Sequence, residues 1–179
     1  MKNNILIRTV CFLALIFFMA SCGSSKSRVV KAEKHKSRRV ESVKPEARSP
    51  ESSKISAIID KAREFEGTKY KYGGTDKRGM DCSGLIYVSF LEEGVSLPRT
   101  SRAMSLEGKR LYLREVAPGD LLFFETSKNR KVINHVGLVV EVRQDDIYFI
   151  HSSTSRGVIT SSLSETYWRE NFVMARRLM

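Results

Sequence analysis

The stretch Tyr70–Leu91, YKYGGTDKRGMDCSGLIYVSFL, does most to limit what this chain can become. Gly73, Gly74 and Gly79 allow tight bends, and Asp81 is a favoured N-cap because its carboxylate can accept free N–H groups at a helix start. Leu85, Val88 and Leu91, with Ile86 and Phe90 beside them, then recur at helical spacing, and Gly94 reads as the C′ stop. The segment is a turn that delivers Cys82 to the first turn of a helix. Unpaired N–H groups and the positive end of the helix dipole favour a thiolate there. A free cysteine is commonly a buried core residue. The N1 position, off the apolar stripe, points instead to a nucleophile that titrates below the roughly 8.5 of a free thiol.

The cysteine count sharpens this reading. Lys2 and Arg8 precede an apolar run, Val10–Met19, that is shorter than the about 20 residues a spanning helix needs. Residues 1–21 therefore read as a cleaved export signal. Met19-Ala20-Ser21-Cys22 resembles a bacterial lipobox, which implies a lipid anchor on Cys22 in the cell envelope, at the outer membrane facing the periplasm. With Cys11 in the signal and Cys22 lipidated, Cys82 is the one free thiol of an exported chain, a setting that suggests reactivity.

Residues 22–54 read as the lipidated end and a basic, disordered tether. From 23 to 54 ten Lys and Arg face four Glu, a net +6, with no aromatic residue and with Pro45 and Pro50 as helix breakers. Residues 55–179 hold 19 basic and 16 acidic residues, so the formal +11 belongs mostly to leader and tether and argues against nucleic-acid binding by the domain. A chain of 179 residues, 41% hydrophobic, supports one such domain.

Within it, Ser53 opens a helix that Gly67 ends, and Thr100 caps a short helix over Ser101–Glu107. Leu121-Leu122-Phe123-Phe124 suits a buried strand. Two strands, from His135 to Val142 and from about Ile147 to His151, flank a polar turn and form an antiparallel hairpin. The histidines are sixteen residues apart, so an odd loop centred on Arg143 sets them opposite each other on one face. A short strand near Val158–Thr160, a helical turn near Ser164–Trp168 and a strand from Phe172 complete the chain, with Trp168 as core or groove wall. His35, in the tether, has no assigned role.

A cysteine at a helix start with histidines on a following antiparallel sheet is the arrangement of papain-like enzymes, an α+β fold with the nucleophile at a helix N-terminus. Tyr70-Lys71-Tyr72-Gly73-Gly74, Asp81-Cys82-Ser83-Gly84-Leu85, Pro118-Gly119-Asp120-Leu121-Leu122-Phe123-Phe124 and His135-Val136-Gly137 together resemble the NlpC-type cell-wall cysteine peptidases over essentially all of 55–179. That resemblance implies Cys82 as nucleophile, His135 as general base and acid, and His151 as the orienting third member. It implies Tyr70 as an oxyanion donor, with Asp81, first of all a helix cap, and Ser83 flanking the nucleophile. The implied activity is hydrolysis of peptidoglycan stem-peptide or cross-link amides by a monomer without cofactor. The bond is D-alanyl–diamino acid or γ-D-glutamyl–diamino acid. The alternatives are a non-catalytic wall-binding module of the same fold, amidase or acyl-transfer chemistry on another substrate, and a Cys82–His135–His151 metal site, which no carboxylate or CxxC spacing supports. Products released from purified sacculi discriminate among them.

Overall fold

The computed structural model describes residues 49–127, 131–144 and 146–179. The export signal, Cys22, His35 and the tether up to residue 48 lie outside them. Helix α1, Pro50–Arg63, starts earlier than Ser53, where the sequence placed it. Ser49 is the cap, its Oγ accepting the Ser52 N–H at 3.1 Å. Pro50 initiates the helix instead of breaking it, because at N1 its missing N–H had no partner to lose.

The ribbon β1 (Thr75–Asp76) and β2 (Gly79–Met80) leads into α2, Cys82–Glu92, whose cap is Asp81 and whose end is marked by Gly94 at φ 71°. Helix α3 is only Ser101–Met104, capped as expected by Thr100. The remaining elements are β3 (Lys109–Leu111), a 3-10 turn (Leu113–Glu115), β4 (Leu121–Phe124), β5 (His135–Arg143), β6 (Asp146–Ser153), β7 (Gly157–Ser162), α4 (Thr166–Asn171) and β8 (Phe172–Arg177). Six strands form one antiparallel sheet in the order β3-β8-β4-β5-β6-β7. The molecule is α+β.

The sheet is covered on both faces around β4, which is why that strand reads as an unbroken apolar run. Leu121 and Phe123 join α1 and α2 through Ile58, Leu85, Ile86 and Phe90. Leu122 and Phe124 meet Val139, Phe149 and Trp168 on the other face. Each fully buried Phe contributes roughly 1.5–3 kcal/mol of transfer free energy. Arg177 ties β8 to the turn before β4, donating to both oxygens of buried Asp120 at 2.8 and 2.7 Å.

The β5–β6 hairpin departs from the expected pairing. Arg143 pairs with Asp146, leaving a two-residue loop in which Gln144 has φ 46°. Carried on unbroken, that register would set His151 across from Leu138, on the opposite face from His135. Val140 has no partner, however: Val139 pairs with Phe149 while Glu141 pairs with Tyr148. This bulge restores the parity. Leu138 then pairs with Ile150, so His151 falls opposite Gly137, one diagonal step from His135 and on its face. A side chain at 137 would collide with the Phe149 ring. His151 is also two residues inside β6 and fully buried, not at a strand end.

Candidate active site

Asp81 organises the turn that carries the cysteine. Its Oδ1 accepts the Gly84 N–H at 2.6 Å, and its Oδ2 accepts the Gly73 N–H at 2.7 Å. Gly73 adopts φ 74°, and a methyl on Gly84 would strike the Gly74 carbonyl, so the sequence needs glycine at both. Arg99 completes the arrangement, donating to Asp81 Oδ1 at 2.9 Å and Oδ2 at 3.0 Å, to Ser83 Oγ at 2.9 Å and to the Gly74 carbonyl at 3.2 Å. Burial pushes the Asp81 carboxyl up, but the Arg99 guanidinium and the Gly84 and Gly73 N–H groups outweigh it and hold the carboxyl below its ordinary range. Arg99 lies eighteen residues from Asp81, and the sequence had given it no function.

Cys82 occupies N1 of α2 as the sequence indicated, but it is not a surface thiol. It is 8% exposed, belongs to the core on the helix side of the sheet, and also lines a cleft of about 510 Å³ with Tyr70, Tyr72, Ser83, Arg99 and Arg102. Burial pushes its thiol up to about 11, although the Val136 N–H and the helix-start amides of Cys82 and Ser83 act to lower it and the Asp81 charge acts to raise it. The expected resting thiolate is therefore replaced by a neutral thiol. Tyr70 borders the same cleft, and burial, with Cys82 and Asp81 beside it, pushes its hydroxyl up and keeps it a hydrogen-bond donor.

The histidines form a buried chain. His135 Nε2 and His151 Nδ1 are 3.1 Å apart, and His151 Nε2 is 3.1 Å from Ser161 Oγ. Trp168 stacks on His135 with centroids 5.2 Å apart at 23° and meets His151 edge-on at 4.5 Å, shielding their hydrogen bond from water. Burial pulls His135 down to about 4 and His151 lower still, so both rings are neutral near pH 7. Each neutral ring has one donor and one acceptor nitrogen. If His135 donates from Nε2, its Nδ1 is free to accept a proton, and His151 must then donate from Nε2 to Ser161. The sequence missed Ser161 because its contact depends on strand register, and it read Trp168 only as core or wall.

The thiol and imidazole chain meet at β5. Cys82 Sγ is 4.0 Å from the Asn134 carbonyl, and the Val136 N–H points to the sulfur, so the thiol lies against the backbone on either side of His135. Among the described residues, no hydrogen bond joins the thiol to either ring. The rings face each other through one nitrogen apiece, and Cys82, His135 and His151 do not form a metal-holding group.

The match to the NlpC/P60 family model spans residues 67–177, from the turn before the cysteine to the last strand. The chain belongs to the NlpC/P60 family. It is 38% identical over 136 residues to the probable endopeptidase NlpC of Escherichia coli, covering 75% of this chain and 85% of the relative. It is 36% identical over 125 residues to the E. coli murein DD-endopeptidase MepS/murein LD-carboxypeptidase, covering 69% of this chain and 63% of that one. The crystal structure of an NlpC/P60 family protein from Bacillus cereus superposes with a TM-score of 0.63 at 27% identity, over 69% of this chain and 40% of that one. The family match begins at Gly67 and so takes in the cysteine turn, α2 and the sheet, while the likeness to NlpC, at 136 residues, also takes in chain before Gly67.

Proposed function

We propose that this protein is a peptidoglycan endopeptidase that cuts an amide bond of stem peptides or their cross-links through an acyl-Cys82 intermediate. One observation carries the reading: a buried thiol at a helix start lies against the strand residue whose imidazole is held by a second histidine and a serine. The likeness to NlpC and MepS supplies the substrate class.

In this mechanism the resting groups are neutral, and charge separates only as substrate fills the cleft. The Cys82 proton moves to His135 Nδ1 as sulfur bonds to the carbonyl carbon. The oxyanion is met by the Cys82 N–H and the Tyr70 hydroxyl. The imidazolium gives its proton to the departing nitrogen as the C–N bond breaks, leaving a thioester and a free amine. Water then attacks the thioester, yielding a proton to His135, and release of the new carboxyl group returns that proton to sulfur. His151, held by Ser161, fixes the ring and tautomer of His135. Asp81, Ser83 and Arg99 brace the turn that holds Cys82.

Export and anchoring through lipid on Cys22 complete the proposal and rest on the lipobox and the polar tether. Among the described residues no helix is long and apolar enough to cross a membrane. The test of the activity is release of muropeptides from purified sacculi, with fragments identified by mass spectrometry. The parent protein is expected to release peptide fragments, with one water taken up per cut and shared between the new carboxyl and the new amine, and folded Cys82→Ala none. Identical release by Cys82→Ala would overturn the assignment, and cleaved glycan with intact peptides would overturn the substrate.

A further inference from the structure

The proton path makes the two sides of the cleft unequal. His135 protonates the departing amine, so the residue that supplies this amine must pass beside the His135 ring. A recess of about 260 Å³, separate from the Cys82 cleft, borders that ring and is lined by His135, Trp168, Tyr167, Glu165, Arg156 and the Ser153–Ser155 turn. Arg156 sits in the turn between β6 and β7, held by Gly157 at φ 72° against the Thr68 backbone and by the Val158 N–H donating to the Thr68 carbonyl at 2.8 Å. Its charge is close enough to help suppress protonation of His151. Among the described residues no carboxylate lies within ion-pair distance of Arg156. Glu165, the acid of the same recess, accepts the Ser162 N–H at 2.9 Å.

Resting on the endopeptidase reading, we propose that Arg156 selects substrates with a free carboxylate on the carbon that bears the departing nitrogen. The two candidate bonds differ at that carbon. In a D-alanyl cross-link to a diamino dicarboxylic acid, the departing nitrogen sits beside a free carboxylate. In the γ-D-glutamyl bond of a longer stem, the carboxyl group beside it is tied up in the next amide. Arg156 therefore favours the cross-link by pairing with that carboxylate. The acyl side makes the contrary demand. Arg102 lines the Cys82 cleft, where the free α-carboxylate of a γ-D-glutamyl group would sit. The two arginines thus give opposite specificities, and each can be removed separately.

The test uses purified cross-linked muropeptide dimers, with that carboxylate either free or converted to the amide, and the full-length protein. The parent is expected to cut the free acid about tenfold faster in kcat/KM than the amide, mostly through KM, and Arg156→Gln to abolish that preference. Arg156→Lys should keep part of it, and Arg102→Gln should leave it unchanged. Folded Cys82→Ala should bind the free-acid dimer more tightly than the amide, a difference lost in the double variant with Arg156→Gln. Equal cutting of both dimers by the parent, or an unchanged preference in Arg156→Gln, overturns the role of Arg156. A parent that cuts neither the dimers nor longer stems overturns the endopeptidase reading itself.

Discussion

Cys82 sits where two influences oppose each other. The helix start, with its free N–H groups, lowers the thiol, and the sequence displays that influence through Asp81 and the glycine turn. Burial raises it and wins, because α2 and β5 close over the sulfur from parts of the chain fifty residues apart. Iodoacetamide alkylation of the resting protein should therefore show an inflection near pH 11, and one below pH 8.5 would restore the resting thiolate. The same divide runs through the other site residues. Asp81 was legible as a cap because capping is local, and Tyr70, His135 and His151 were legible through motif order and spacing. Arg99 and Ser161 were not, since each reaches the site only after folding brings distant segments together.

The β5–β6 hairpin shows what periodicity can and cannot say about an element. Alternation and composition revealed two strands and a turn, and the even spacing of the histidines put them on one face, which is where they lie. The expected odd loop proved to be an even loop plus a bulge at Val140, two irregularities that cancel in face but not in pairing. A bulge has no composition of its own, so sequence could not reveal it. Deleting Val140 removes the unpaired residue, so Val139 and Glu141 follow one another in an unbroken ladder that still sets His151 opposite Gly137 and on the face of His135. The deleted protein, checked for folding by circular dichroism, should therefore keep most of its muropeptide release. A loss of about 100-fold or more in the folded deletion, the scale of lost acid–base assistance, would show that the histidines depend on the bulge itself and not on parity.

For the whole molecule, the division of charge matters more than its total. The domain is nearly balanced, and the excess lies in the chain before it, beside the proposed lipid. The first helix nevertheless starts at Pro50, inside the stretch that composition assigns to the tether, because Pro50 reads as a breaker until Ser49 is seen to cap the helix that it starts. If lipid on Cys22 supplies the attachment, Cys22→Ala should move nearly all of the protein from the membrane fraction to the soluble fraction while leaving release from sacculi unchanged. Partition with membranes like the parent's would show that something other than Cys22 holds it there.

In the proposed mechanism His135 moves the proton while His151 only holds it in place. The direct measurement is muropeptide release from sacculi by His135→Ala, His151→Ala, His151→Asn and Cys82→Ala, each checked for folding because both rings are buried. His135→Ala should be as inactive as Cys82→Ala. His151→Ala should retain at least about tenfold more activity, with His151→Asn recovering part of the loss because a neutral hydrogen-bonding side chain can still orient the ring. A folded His135→Ala protein that outperforms His151→Ala would show that His151, not His135, moves the proton.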